Sequence, residues 1–186
     1  MMGKILAGVI VVTALIVGGA MYYFQVYGFY EPIPASVQGG NVRMTTLFGE
    51  AEAVPAEGFE GIDASSSPIR YRACFTLPMS TAMMTETYET YEGAEPRVAP
   101  GWFECFDAKA IGKALEEGEA TAFLGEENIH YGIDRVIAVF EDGRAFAWHQ
   151  INECGATVFD GNPAPEGCPP APNSWANAPQ APERTE

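Results

Sequence analysis

The chain has 186 residues, 47% of them apolar, with 25 acidic side chains against 10 lysines and arginines and a net charge of −15. That balance excludes a generic nucleic-acid binder, which needs a basic footprint to neutralise phosphate, and it argues against a domain lying broadly on anionic lipid. The length fits one domain rather than two, with enough apolar residues for a single core.

Residues 5–24 are apolar or small, carry no charge and include one aliphatic hydroxyl, Thr13. About 20 such residues at ~1.5 Å rise cross a hydrocarbon core of ~30 Å, which predicts a transmembrane helix. Lys4 precedes the run, whereas Glu31, Glu50, Glu52, Glu57 and Glu60 follow it with Arg43 as the nearby cation. Lysine and arginine are held on the cytoplasmic side, so residues 1–4 are expected inside and everything after Tyr30 outside. Tyr22, Tyr23, Phe24, Tyr27, Phe29 and Tyr30 crowd the exit end, where aromatic rings settle at headgroup level. The anchor with this belt is therefore read as residues 5–30. A cleaved signal peptide is the rival, because Gly18-Gly19-Ala20 supplies the small residues of a cleavage site. The length of the run and its aromatic, rather than polar, end favour an uncleaved anchor. Ala14 and Gly18 make one small-xxx-small pair, too common a spacing to predict a partner helix.

Residues 31–41 read as a stalk, stiffened by Pro32 and Pro34 and ended by Gly39-Gly40. A first strand is predicted over 42–48, and a surface loop over 50–67, which is rich in Glu, Gly, Ala and Ser. Over 69–77, Tyr71, Ala73 and Phe75 alternate with Arg70, Arg72 and Cys74, the period of a strand that Pro78 ends. A short helix is predicted within 80–91, with Ser80 as N-cap, and a strand over 102–106. Residues 107–117 form the clearest helix of the domain: Asp107 caps it, Ala108, Ile111, Ala114 and Leu115 share a face, and Gly118 stops it. A short strand over 120–124 follows. Over 134–151, two β-rich runs flank Asp142-Gly143, a hairpin signature, and the first run is apolar on both faces, as a central strand would be. Residues 169–186 are Pro-rich and predicted to be a disordered tail. Residues 42–168 are thus expected to form a small α+β domain with a mainly antiparallel sheet and one or two helices.

Four cysteines, Cys74, Cys105, Cys154 and Cys168, imply two disulfides in an oxidising compartment, with three pairings open. Cys74 and Cys105 both fall in strand-like runs, and Cys154 and Cys168 bracket a Gly/Pro-rich loop, so 74–105 with 154–168 is favoured. No Cys-x-x-Cys pair is present, which leaves no thioredoxin-like or haem-attachment signal.

Chemistry is scarce. His149 sits in a predicted strand beside Trp148, the setting of a hydrogen-bonded structural histidine. Glu126, Glu127 and His130 fall in one predicted loop, 125–132, which leads to Asp134, and these four are the candidates for a divalent metal, since carboxylate and imidazole suit such ions. A solvated acidic loop is the plainer reading in so acidic a chain, so no metal, cofactor or catalytic residue is assigned. No nucleophile elbow, metalloprotease helix, phosphate loop or calcium loop occurs, and nothing selects one serine for a triad. Trp102, Trp148, Tyr88 and Tyr91 can line a cleft, but core packing is their default use. The function expected is non-enzymatic: an accessory, assembly or scaffolding role in the envelope, with the membrane and an unidentified envelope protein as partners. A ligand-sensing domain comes second and an unrecognised hydrolase third.

The runs Tyr71-Arg72-Ala73-Cys74-Phe75, Pro100-Gly101-Trp102-Phe103-Glu104-Cys105-Phe106-Asp107, Gly132-Ile133-Asp134-Arg135-Val136 and Ala147-Trp148-His149-Gln150-Ile151-Asn152 resemble a family of small single-span proteins from photosynthetic and marine alphaproteobacteria. The anchor, with Gly3-Lys4-Ile5-Leu6 and Tyr27-Gly28-Phe29-Tyr30, is similar as well, so the resemblance covers most of residues 1–170. The family is described as a domain of unknown function. The resemblance implies a bacterial inner-membrane setting and no activity.

Overall fold

A computed structural model describes residues 2–34 and 42–172; positions 35–41 of the expected stalk and 173–186 of the expected tail lie outside the described residues. The uncharged N-terminal run forms α1 (Met2–Tyr23), continued by a π-helical turn, Phe24–Gly28. The Phe29 N–H reaches back five residues to the Phe24 carbonyl at 3.1 Å. Together they make one apolar helix, Gly3–Gly28, none of whose most apolar stretch is buried in the protein. It is long enough to cross a bilayer.

The strands are β1 (Glu31–Pro32), β2 (Arg43–Thr45), β3 (Ala51–Ala53), β4 (Glu57–Asp63), β5 (Arg72–Thr76), β6 (Ala120–His130), β7 (Ile133–Phe140) and β8 (Arg144–Ile151). Helices α2 (Thr81–Thr87), α3 (Ala108–Glu117) and α4 (Glu153–Phe159) complete the order. Six strands form an antiparallel sheet in the order β1-β4-β5-β8-β7-β6, and β2 and β3 pair separately. The fold is α+β, as the sequence predicted.

Both faces of the sheet are covered, which explains why β7 is apolar on both. On one face Ala73, Phe75, Phe123, Ile137 and Val139 pack against Met44 and Val54 of the β2–β3 pair and Met84 of α2. On the other, Cys74, Val136, Ala138, Phe146 and Trp148 pack against Phe103, Phe106 and Ile111 of α3. Capping follows the sequence. The Asp107 carboxylate accepts from the Lys109 and Ala110 N–H groups, and Gly118 takes the left-handed conformation (φ 74°). Ser80 accepts from the Met83 N–H at the start of α2. Each cap is worth ~1 kcal/mol.

Several expectations are corrected. Glu31 and Pro32, assigned to the stalk, pair with Asp63 and Ile62, so the chain joins the sheet directly after the helix. The expected loop at 50–67 contains β3 and β4. Its strand was hidden because a bulge between Glu57 and Glu60 puts Phe59 and Ile62 three apart, and because Gly61 must stay bare: a Cβ there would lie 2.8 Å from Phe59 Cζ and 2.9 Å from Ile33 Cδ1. Residues 102–106 form consecutive turns rather than a strand, with Phe103 and Phe106 three apart and both buried. The expected loop at 125–132 is instead the far half of β6 up to His130, irregular at two register shifts and at Asn128 (φ 48°), followed by a two-residue turn into β7. Glu126, Glu127 and Asn128 are poor strand formers, which masked it. The Gly/Pro-rich loop after Cys154 begins with α4, capped by Asn152 through the Gly155 N–H (2.9 Å).

Candidate functional site

The sheet buries apolar side chains along most of its length and turns polar at the end where the chain enters from α1. Arg72, Asp134, His149 and Gln150 are all buried there. The sheet register aligns Tyr71, His149, Arg135 and Glu126 in one row across the face that carries Ala73 and Ile137. The Tyr71 and His149 rings stack at 4.6 Å between centroids, and the Arg135 guanidinium lies 4.3 Å over the Tyr71 ring. Arg135 Nε and Nη2 sit 3.2 and 3.1 Å from His149 Nε2, and its Nη1 pairs with Glu126 Oε2 at 3.3 Å. Arg43 approaches the other Glu126 oxygen at 3.9 Å.

Arginine only donates, so His149 Nε2 accepts and its proton resides on Nδ1, which donates to the Pro68 carbonyl at 2.6 Å. Burial, reinforced by the charge of Arg135, pushes the imidazole down to about 3. With both ring nitrogens engaged, His149 is a structural histidine and no general base. Burial raises the Tyr71 phenol as well. Beside the row is a cleft of about 420 Å³ lined by Ile33, Arg43, Phe59, Asp63 and Ile129. Burial raises the Asp63 carboxyl, although the Ala64 N–H donates to it at 2.7 Å. A second cleft of about 490 Å³ shares Ile33 and Asp63 and reaches His130.

Asp134 lies on the opposite face. Its Oδ1 accepts from the Asn128 N–H (2.9 Å) and Asn152 Nδ2 (2.8 Å), and its Oδ2 from the Tyr91 hydroxyl (3.1 Å). Gln150 beside it bridges the Trp148 Nε1–H (3.2 Å), the Glu95 N–H (2.7 Å) and the Gly93 carbonyl (2.8 Å). The four metal candidates are therefore dispersed: Glu126 faces Arg135, Asp134 faces the other side of the sheet, and Glu127 and His130 are exposed. Among the described residues no group of three or more His, Cys, Asp or Glu could hold a metal ion. Nor do the four aromatics share a cleft. Trp148 is wholly buried, Tyr88 donates to Glu52 at 2.8 Å, Tyr91 donates to Asp134, and Trp102 lies at the helix junction.

That junction went unforeseen. Trp102 Nε1–H donates to the Val26 carbonyl at 2.7 Å, and its ring stacks on Tyr27 and meets Tyr30 edge-on. The Arg70 guanidinium lies over both Phe29 and Tyr30. Buried Arg72 donates to the carbonyls of Arg97 (2.7 Å) and Val98 (3.2 Å), which fixes the loop carrying Trp102. Cys74 is bonded to Cys105 and Cys154 to Cys168, the favoured pairing. The first bond ties that loop to β5.

Residues 42–169 match the model of a family of unknown function, DUF6446. The chain belongs to this family. DUF6446 spans the folded domain and leaves out the apolar helix, so it speaks to the domain alone, and it agrees with the domain of unknown function expected from sequence. No curated protein and no solved structure matches the chain.

Proposed function

We propose that this DUF6446 protein is an uncleaved, single-pass protein of the bacterial inner membrane, alphaproteobacterial in origin. Residues 1–4 lie in the cytoplasm and the domain in the periplasm, where it serves without turnover as an accessory, assembly or scaffolding component. One observation supports this above others: a helix of spanning length leaves its apolar side chains uncovered in a chain that also holds two disulfides. Ile5, Leu6, Val9, Ile10, Leu15 and Ile16 are each more than half exposed, which in water forfeits ~25 cal/mol for every Å² of apolar surface left wet. A bilayer removes that cost. Disulfides in turn persist in oxidising compartments such as the periplasm.

The non-enzymatic part is supported by the polar row, whose acids, bases and ring nitrogens are engaged with one another rather than aimed at open space. Purification of the full chain from membranes in mild detergent tests it. A membrane protein retained at fixed stoichiometry is the expected result. Purification alone, with a small molecule raising the melting temperature, would favour the second reading, a ligand-binding domain. The observation behind that alternative is the 420 Å³ cleft beside Arg43, Asp63 and Arg135.

A further inference from the structure

The chain is acidic overall, yet three arginines gather at the helix junction with no carboxylate in ion-pair contact among the described residues. Among the described residues, Arg70, Arg72 and Arg97 make no ion pair, in contrast to Arg43, Lys113, Arg135 and Arg144. Arg70 Nη1 and Arg97 Nε also have no hydrogen-bond partner. Arg72 is spent on backbone carbonyls, and burial, with the neighbouring charge of Arg97, lowers its guanidinium to about 10. Asp63 offsets part of the charge on Arg72, but with no carboxylate in contact the neighbouring cations still favour an anion from outside.

The apolar side chains at the same place are equally unaccounted for. Val98 is 81% exposed and Trp102 38%, although both sit on a loop held rigidly by Arg72, by buried Phe103 and Phe106 and by the Cys74–Cys105 bond. This is no loose tip that happens to be wet. Trp102 is bonded to Val26 and stacked on Tyr27, in the last turn of the apolar helix. If that helix spans the bilayer, its last turn is at the headgroups, and Trp102 must be there too.

We propose that the loop 97–102, with Arg70, is a membrane-contact surface resting on the phospholipid headgroups around the helix exit: Trp102 and Val98 enter the interfacial layer, and Arg70 and Arg97 take lipid phosphate. The proposal rests on the reading of α1 as a membrane anchor. Each part suits its place. Tryptophan is favoured at the interface because its ring is amphipathic, and the guanidinium fork matches phosphate oxygens. The acidic remainder of the domain is repelled by an anionic surface, so attachment is confined to this corner and fixes the tilt of the sheet. The polar end of the sheet, with Asp63 and His130, is then held close to the bilayer.

The test uses the full chain, reconstituted into phosphatidylcholine/phosphatidylglycerol vesicles whose acyl chains are brominated near the headgroup, in a W175F background. Trp148 is wholly buried in the core, so the difference between W175F and W175F/W102F reads Trp102. Flotation of the vesicles is scored in parallel. Expected are complete flotation, loss of most Trp102 emission to the shallow bromines, and several-fold weaker quenching in R70Q/R97Q with flotation unchanged. V98E, at an exposed position outside the core, should weaken quenching likewise. Flotation with Trp102 unquenched overturns the surface while sparing the anchor, as it would if a protein partner covered this corner. Quenching undiminished in R70Q/R97Q overturns the phosphate contact. Failure to float overturns the anchor reading, and this surface with it.

Discussion

His149 is held neutral by burial and by a cation, and the consequence can be titrated. Its folded value of about 3 lies below the ~6.5 of an unfolded histidine, so between those values only the unfolded chain binds the proton. The stability it contributes is fully present above ~6.5 and is lost as pH falls toward 3; by pH 5 the loss is ~2 kcal/mol. Asp63 carries the opposite sign. Its raised carboxyl favours the folded state on protonation, so its contribution grows as pH falls through the raised folded value toward the ordinary 3.8. Denaturant melts from pH 7.5 to 5 should therefore show falling stability, and H149Q should flatten most of that slope. An unchanged slope would remove His149 from the account. Gly155 makes a steric claim: a Cβ there would overlap the Gly132 carbonyl where α4 meets the β6–β7 turn. G155A should cost ~1–3 kcal/mol, the range for overpacking, read from the same melts. Glu127 and His130, by contrast, are exposed. E127A/H130A should change stability by no more than ~0.5 kcal/mol, and calcium, magnesium, manganese or zinc should leave the melting temperature where it is. A bound ion at a hundredfold excess over its Kd would add ~2.7 kcal/mol. His149 was readable as structural from its place beside Trp148. Its partners Tyr71, Arg135 and Glu126 were not, because a row across four strands exists only once the register is known, and the charge of Arg135 at the start of an apolar run was the one available hint.

At the scale of elements, legibility tracked local signals. Helix α3 was visible from Asp107, its apolar face and Gly118, and the β7–β8 hairpin from Asp142-Gly143, because each is specified within a dozen residues. What the sequence hid was specified by distant packing. Bare Gly61 is set by Phe59 and Ile33, and the turns at 102–106 by insertion of Phe103 and Phe106 under the sheet. The far half of β6 is set by Arg135 and Asp134 reaching Glu126 and Asn128. The disulfides give the prediction here. Cys74–Cys105 closes a separation of 31 residues and Cys154–Cys168 one of 14. Chain entropy makes these worth roughly 3.7 and 3 kcal/mol. Cys74 is also buried in the second core layer, whereas Cys154 and Cys168 are only half-buried. C74A/C105A should accordingly lower stability more than C154A/C168A, and peptide mapping of periplasmically made protein should find no free thiol. The reverse ranking would place the weight of the fold on α4 rather than on the β5 connection.

The whole molecule is a three-layer α+β domain whose sheet begins within a few residues of an apolar helix. The helix was plain in the sequence, since length and lack of charge suffice to mark it. The intimacy of the junction was not, because Pro32 and Pro34 resemble a spacer and nothing local tells that Glu31 pairs with Asp63 or that Trp102 bonds to Val26. The apolar helix and the domain are therefore joined as one body rather than as a head on a tether. The central claim is that the helix remains attached and delivers the domain outside the cytoplasm. A dual reporter fused after Glu186, active as a phosphatase only outside and as a fluorophore only inside, measures this directly when the fusion is extracted from membranes and its intact mass recorded. The account predicts phosphatase activity, no fluorescence, and a mass that retains the apolar helix. Fluorescence would contradict the orientation, and loss of roughly the first 20 residues would mean a signal peptide instead of an anchor.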